Sequence, residues 1–379
     1  MNVKSKKAKT LLSMCNLQGI GLEIGGGISP LLPKSKGFNI ETLDIMDKKS
    51  QIEQYESWGI KRSAESIQEV DNTMQKGGSY VDAVGKTSYF DFIAASCVIE
   101  HTVCIISFLR DCMELLRPDG ILALAVPDKR FIFDHYRPLS GIAEAIDCYN
   151  KEDKSRHSTG ILCEQFLNYV AISNNGYSLA NSPADVKNII DSYISSDGYR
   201  DFHHWVFTKS SFELLLLDLI SLGFLNNLRI ISSHSQGVEF YVNIQKTEAC
   251  TPEIDNDRRL ELLREIEKEQ IDKCFSSDNT NLIAFCRDYK SDSLYIYGTG
   301  YSGYEAALIL DSLDIEFNGF IVSDERPKPD LFMSHPVYHL SDLNFTGKKT
   351  GIILAMTAAS TESVVPLLEA RGVTDYIEV

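Results

Sequence analysis

The chain has 379 residues with 53 acidic and 37 basic side chains, a formal net charge of -16 and a hydrophobic share of 44%. That length fits two domains or three modules of ordinary globular composition, and the acidic balance argues against a nucleic-acid partner, because phosphate binding needs a basic face. The nine cysteines form no C-x-x-C pair and the basic stretch from Lys4 to Lys9 leads into no apolar signal core, so the expectation is reduced thiols, a cytoplasmic location and no membrane span.

Taken in order, short apolar runs bounded by Gly, Pro, Asp or Ser read as strands at 19–24, 39–44, 79–82, 90–95 and 121–126. Helical patterns lie between most of them. The clearest, 105–116, places Phe108, Leu109, Cys112, Leu115 and Leu116 at helical spacing and ends at the turn Arg117-Pro118-Asp119-Gly120. This alternation predicts an α/β fold with a doubly wound, mostly parallel sheet. From 128 to 207 the alternation stops in a stretch rich in Tyr, Asn, Asp, Ser and Arg, too long for a simple loop and read as an inserted cap. A helix at 210–222 follows, then strands at 228–233 and 238–244 joined across Gln236-Gly237, a hairpin that ends the sheet antiparallel. These elements define a first domain over 1–247.

The next stretch, 248–290, is charged, with Leu260, Leu262, Leu263, Ile266 and Ile271 in a helical pattern. It reads as a connector, either a spacer or a helix packed on one domain. A second alternation then fills 291–379: strands at 294–297, 316–322, 352–356 and 376–379, with helices at 304–313 and 365–371. It predicts a smaller α/β domain.

Chemistry enters at the end of the first strand, where Ile20-Gly21-Leu22 runs into Glu23-Ile24-Gly25-Gly26-Gly27. Glycines let a ligand approach the backbone closely. A phosphate loop wants bare N–H groups and positive charge, so Glu23 favours a cation or a ligand rich in hydroxyls and amines. S-adenosylmethionine (SAM), with its sulfonium, ammonium and ribose, is such a ligand. Asp44 ends the second predicted strand and can accept two hydroxyl donors. Asp82 ends the third. Glu100-His101 follows the fourth, at the edge where such sheets bind ligands.

Together these residues resemble class I SAM-dependent methyltransferases. Glu23, Gly25 and Gly27 match the family's E/D-x-G-x-G-x-G turn, with Ser29 in place of its last Gly. Tyr89-Phe90-Asp91-Phe92-Ile93 matches its fourth strand. Leu115-Leu116-Arg117-Pro118-Asp119-Gly120 resembles its L-L-[RK]-P-G-G turn, with Asp119 for the first Gly. The likeness spans about residues 15–246. It implies SAM as cofactor, held by Glu23, Gly25, Gly26, Gly27, Asp44, Asp82 and Ser96.

A narrower likeness lies in Ala95-Ser96-Cys97-Val98-Ile99-Glu100-His101, in Val126-Pro127-Asp128-Lys129-Arg130-Phe131-Ile132-Phe133-Asp134 and in His203-His204-Trp205-Val206-Phe207-Thr208. These runs resemble bacterial methyltransferases found with surface-polysaccharide synthesis, which implies O-methylation of a sugar or glycan-precursor hydroxyl. An alcohol nucleophile needs a base and close alignment. His101 is the candidate base or acceptor-positioning residue, with Glu100 orienting it or touching SAM. Asp128, Arg130, Asp134 and Arg137, with His203 and His204, are the candidate acceptor-binding set; carboxylates beside guanidiniums suit polyhydroxylated acceptors. The same charges read equally as an ion-pair network anchoring the cap. Glu100 and His101 also resemble the end of the E-x-x-E-H cluster with which an RNA 2′-O-methylating family of methyltransferases holds a divalent metal, a set that His203 or His204 would complete, but Cys97 replaces its first Glu and is too soft for magnesium, so no metal is assigned.

In the C-terminal section Gly298, Gly300 and Gly303 complete a G-x-G-x-x-G between a strand and a helix. This part resembles the small N-terminal domains of nucleotide-sugar acyltransferases and other Rossmann-like modules, which implies a nucleotide or nucleotide-sugar site. The alternative function is therefore a bifunctional or regulatory protein whose C-terminal module binds a nucleotide sugar or docks a partner enzyme.

Overall fold

The structure, a computed structural model, describes residues 6–27, 30–57, 67–74, 78–173, 176–196, 200–248, 254–271, 282, 285–286, 289, 293–312, 315–347, 349–356 and 358–378. Ser29 and much of the predicted connector lie outside them.

After a short helix α1 (Lys6–Leu11), a first sheet is built from β1 (Gly21–Ile24), β2 (Ile40–Asp44), β3 (Asn72–Thr73), β4 (Phe90–Ser96), β5 (Leu116–Pro127), β8 (Leu228–Gln236) and β9 (Glu239–Lys246). Its order is β3-β2-β1-β4-β5-β9-β8. The first five strands run parallel and β9 pairs antiparallel with β5 and β8. The hairpin expected at the end of the sheet thus lies beside β5. Helices α2 (Lys48–Ser57), α3 (Tyr80–Val84), α4 (Ile105–Leu115) and α8 (Lys209–Ser221) accompany it. One face of α4, including Phe108, Leu109 and Cys112, is fully buried in the main core, as its spacing requires. Asp119, which stands where the turn motif has Gly, takes φ +62, a region that Asp tolerates better than most side chains.

One strand assignment is corrected. Residues 79–82 are the start of a helix: Ser79 Oγ accepts from Asp82 N–H at 3.3 Å as an N-cap, and Gly85 closes the helix in the left-handed region. The third strand is Asn72–Thr73, too short to show a period.

The stretch between β5 and α8 carries α5 (Ile142–Asn150), α6 (Thr159–Leu167), the antiparallel pair β6 (Val170–Ser173) and β7 (Gly176–Leu179), and α7 (Pro183–Ile194). A parallel bridge between Asp128 and Phe207 pins its two ends together. Helix α9 (Asn256–Ile271) packs on α8: Arg258 pairs with Glu213, Arg259 with Asp218, and Ser210 Oγ donates to Glu269 at 2.9 Å. Of the two readings for this charged stretch, a helix packed on one domain is the one seen for α9.

A second sheet, order β12-β13-β11-β10-β14-β15, contains β10 (Leu294–Tyr297), β11 (Gly319–Val322), β12 (Leu331–Phe332), β13 (His335–His339), β14 (Gly351–Leu354) and β15 (Asp375–Glu378). Helices α10 (Tyr301–Ser312) and α11 (Ala358–Glu369) belong to it. All pairings except β12–β13 are parallel. Leaving aside β12, the order in chain sequence is 3-2-1-4-5, a doubly wound arrangement with its switch point beside β10. Strand β13 was not read from the sequence. No helix among the described residues is long and apolar enough to cross a membrane.

Candidate functional site

A cavity of about 510 Å³ opens at the carboxyl ends of β1, β2 and β4. This is the edge where a doubly wound sheet binds ligands, and the size suits a cofactor-sized molecule. Gly25 and Gly27 line it with φ of +71 and +47. A Cβ on Gly25 would stand 2.6 Å from Val98 Cγ2, and one on Gly27 would stand 2.9 Å from Tyr55 Oη, so only glycine keeps this wall of the cavity open. Asp44 lines the next wall; burial raises its carboxyl above the ordinary range, against the lowering by Met46 and Ile45 N–H groups, and the Asp201 charge adds to the rise. Met46, Gln51, Met74, Ser79, Tyr80 and Phe108 complete a mostly apolar slot beyond it. Glycines that a Cβ would obstruct, a carboxylate for a diol and an apolar slot for a ring fit the groups of SAM.

The other residues assigned to the cofactor lie elsewhere. Glu23 is 2% exposed and lines no part of the cavity. Its Oε1 accepts from Leu31 N–H at 2.6 Å and its Oε2 from Leu32 N–H at 3.3 Å. Burial raises its carboxyl, and these two bonds partly offset that. Glu23 therefore ties the segment after the glycine turn back to the strand. Gly26 and Ser96 do not line the cavity, and Asp82 sits exposed in α3 for the reason given above. An acid that does line it is Asp111, whose Oδ2 accepts from Ser79 Oγ at 2.9 Å and from Tyr80 N–H at 2.7 Å. It lies inside an amphipathic helix, so no local pattern marks it. Cys97 also lines the cavity, at φ +54, an uncommon conformation for a side chain with Cβ. Its Sγ donates to Glu239 Oε1 at 3.2 Å, and Lys7 reaches the same oxygen at 2.6 Å. Burial, with the charges of Glu100 and Glu239, holds the thiol well above its ordinary range.

At the mouth, His101 and Asp201 meet across the cavity lining, Nδ1 to Oδ1 at 2.9 Å. Burial pulls the imidazole down, but the Asp201 bond and the charges of Glu100 and Asp201 outweigh it and leave it raised. Asp201 was missed in the sequence because it stands in an irregular segment with no periodicity. Behind His101, Glu100 is 1% exposed and neither carboxylate oxygen has a hydrogen-bond partner from another residue among the described residues. Burial raises its carboxyl, opposed by His101 and His203. His203 Nδ1 meets Asp134 Oδ2 at 2.6 Å, and Arg137 donates to Asp134 at 2.9 Å and to the carbonyls of His203 and His204. Burial raises Asp134, but His203 and Arg137 outweigh it and hold the carboxyl low.

The acceptor set thus divides. Asp134 and His203 join the Glu100-His101 corner, with Arg137 locking them. Asp128 and Arg130 pair with each other at 2.7 Å, and Arg130 Nη1 reaches the Glu269 carbonyl of α9, away from the cavity. His204 is 1% exposed among His157, Cys148 and Glu144. For these three residues the cap-anchoring reading replaces acceptor contact, because their polar atoms are spent on protein partners.

In the second sheet the glycine turn is a packing device at two of its three positions. A Cβ on Gly298 (φ +122) would meet the Ala355 carbonyl at 2.4 Å, and one on Gly303 would meet the Gly298 carbonyl at 2.0 Å. Gly300 faces open space.

Residues 3–170 match the family model described as a methyltransferase domain. The chain is similar to a putative SAM-dependent methyltransferase from Listeria monocytogenes at 10% identity, over 63% of this chain and 97% of that one, with a TM-score of 0.34. It is similar to phosphoethanolamine N-methyltransferase 1 of Haemonchus contortus, solved with phosphoethanolamine and S-adenosylhomocysteine, at 11% identity over 85% of this chain and 63% of that one, TM-score 0.35. The PH0226 protein of Pyrococcus horikoshii OT3 shows 14% identity over 64% and 89%, TM-score 0.34. No curated protein matches the chain. The strand order, rather than these likenesses, carries the fold. With that order and this cavity, the match over residues 3–170 makes the N-terminal part of the chain similar to a methyltransferase domain with a class I fold, which supports an enzyme that uses SAM.

Proposed function

We propose that the protein is an O-methyltransferase whose acceptor is a hydroxyl of a sugar or glycan precursor, in surface-polysaccharide synthesis in the cytoplasm. The observation that carries the reading is the corner at the cavity mouth, where His101 and Asp201 face the cofactor cavity beside Glu100 and His203. An alcohol is a poor nucleophile until its proton is held or removed, and a carboxylate-backed imidazole is built for that task. SAM supplies the methyl group. Gly25, Gly27 and Asp44 seat it, and the corner that His101 and Asp201 form at the cavity mouth, braced by Asp134 and His203, positions the acceptor hydroxyl and handles its proton. The described cysteines are all free of disulfides, which supports a reducing compartment.

The domain roles follow: 1–247 for methyl transfer with the cap at 128–207, 248–290 as connector, and 291–379 as an accessory Rossmann-like module. The switch point beside Gly298 supports a nucleotide or nucleotide sugar there, and with it the second reading of a bifunctional or regulatory protein.

Calorimetry with SAM tests the cofactor half. Gly25→Val combined with Asp44→Ala should abolish binding, and unchanged binding removes the assignment. His101→Ala should keep SAM affinity and lose turnover; full turnover on a sugar acceptor ends the role of this corner.

A further inference from the structure

Glu100 presents a physical problem that the methyltransferase reading leaves open. Its carboxylate is 1% exposed, and neither oxygen has a hydrogen-bond partner from another residue among the described residues. Burying an unpaired carboxylate is costly, and native structures rarely leave one without a counter-ion. The side chain cannot escape by a backbone shift, because the Glu100 carbonyl accepts from both His204 N–H at 2.7 Å and Trp205 N–H at 3.1 Å. The nearest cationic candidate is His101 Nε2, 3.9 Å from Oε1, beyond hydrogen-bond range.

The space between is lined by donors of one chemical kind. A carboxylate oxygen of Glu100 and one ring nitrogen each of His101 and His203 lie within 4.8 Å of one another. Around a first-row divalent ion, ligand atoms about 2.0–2.2 Å from the metal stand roughly 3–4 Å apart, so a shift of under an ångström closes this set. Each imidazole is also backed by a carboxylate. His101 Nδ1 meets Asp201 at 2.9 Å, and His203 Nδ1 meets Asp134 at 2.6 Å. A carboxylate on one ring nitrogen is how metal-bound histidines are held. Arg137, bonded to Asp134 and to the His203 carbonyl, fixes the second ring further.

From this juxtaposition we infer that Glu100, His101 and His203 form a three-ligand site for a first-row divalent transition cation, with Asp201 and Asp134 orienting its two imidazoles. Two imidazoles and one carboxylate favour such an ion over Mg²⁺ or Ca²⁺, which prefer all-oxygen shells. Cys97 is not needed as a ligand, since its thiol is committed to Glu239. Three protein ligands leave a coordination position open, and His101 places that position at the cavity. An acceptor hydroxyl taken up there is held and acidified by the cation: its proton goes to water at the mouth, where His101 is 30% exposed, the oxygen bonds to the SAM methyl carbon as the C–S bond breaks, S-adenosylhomocysteine leaves, and His101 acts as a ligand. What the cation does rests on the proposed O-methyltransferase reading; that it binds does not.

The experiment uses the full chain after dialysis against a chelator, without SAM or acceptor. Titration calorimetry with Zn²⁺, with Mn²⁺ and with Mg²⁺ should show one site for a transition cation and at least tenfold weaker binding of Mg²⁺. Glu100→Gln and His203→Gln should each weaken transition-metal binding at least 100-fold, and Asp134→Asn should weaken it 10- to 100-fold. A Co²⁺ ligand-field spectrum of the wild type, which needs no variant, should report imidazole and carboxylate ligation. No saturable uptake of any of these ions by the wild type, or uptake unchanged in a folded Glu100→Gln or His203→Gln variant, overturns the site. SAM titrated into the same chelated samples separates the two readings: SAM binding without metal binding leaves the methyltransferase assignment standing and removes only the cation.

Discussion

Replacing Arg137 by alanine should cost the protein about 4 kcal/mol. The guanidinium is 1% exposed and makes four bonds: to Asp134 at 2.9 Å, to Glu164 at 3.1 Å, and to the carbonyls of His203 and His204 at 2.9 and 3.3 Å. Its removal leaves Asp134, also 1% exposed, with His203 beside it among the described residues, and strands two carbonyls that no longer have this donor. Removing one partner of a buried ion pair costs about 3–5 kcal/mol, because the remaining charge stays out of water. Arg137→Lys keeps the charge but not the fork that reaches four acceptors, so about half the loss should remain. Urea unfolding followed by tryptophan fluorescence is the assay, since Trp205 is buried one residue beyond His204. A midpoint shift equivalent to less than about 1 kcal/mol for Arg137→Ala would refute the claim that this arginine holds the cap on the sheet.

Gly25→Ala should lose about 1–3 kcal/mol, since alanine resists φ +71 and its Cβ would press on Val98 at 2.6 Å; thermal melting with and without SAM checks it, and an unchanged melt with unchanged affinity counts against the cavity wall. Glu23→Gln should cost about 1–3 kcal/mol without touching any cavity-lining side chain, because one of the Leu31 and Leu32 N–H groups loses its acceptor; equal stability would show that the segment is held otherwise. Glu305, on α10, has its carboxyl pushed up to about 8 by burial first and then by the charges of Asp128, at the start of the cap, and Glu239, on β9. The folded state holds this proton more tightly than the unfolded chain, whose value is 4.5, so the group's contribution is whole below pH 4.5 and is lost as pH rises to about 8. The loss is about 2–5 kcal/mol, and Glu305→Gln should flatten that part of the stability profile; identical pH slopes for the two proteins would show that the carboxyl is not buried there.

The parts of the fold legible in the sequence were those whose signal is local. Strands β1, β2, β4 and β5, helix α4 and the terminal hairpin all announce themselves by period and by turn chemistry. Strand β3 did not, because two residues carry no period, and the apolar run after it was claimed for a strand although Ser79 and Asp82 have the spacing of a helix cap. Glu23 reads in the sequence as the acid that meets the ligand of the glycine turn, whereas its carboxylate is bonded to the N–H groups of Leu31 and Leu32. Sequence shows that a carboxylate ends a strand; it does not show whether the chain will fold back and spend it on backbone N–H groups. Asp111 and Asp201 were invisible for the opposite reason: their partners are 31 and 100 residues away, and nothing nearby marks them.

The cap explains why the corner could be suspected from motifs and yet assembled only in three dimensions. Its first end contributes Asp134 and Arg137 and its last end contributes Asp201 and His203, while Glu100 and His101 come from the sheet. Two contacts bring the ends together, the Asp128–Phe207 bridge and the Arg137 fork, and a third ties the last end to the sheet edge, the Glu100 carbonyl that takes the N–H groups of His204 and Trp205. The last contact matters most, because Glu100 belongs to the turn that also sets Cys97 and Val98 against the glycine wall. Cofactor cavity and acceptor corner therefore share one short piece of backbone. The outer elements of the cap, α6, α7 and the β6–β7 pair, lie beyond that shared segment, so substitutions there should shift acceptor preference and leave SAM affinity unchanged. Comparing the two quantities across such variants would show whether the halves are coupled; SAM affinity falling in step with acceptor use would mean that the cap, and not the sheet edge, builds the cofactor cavity.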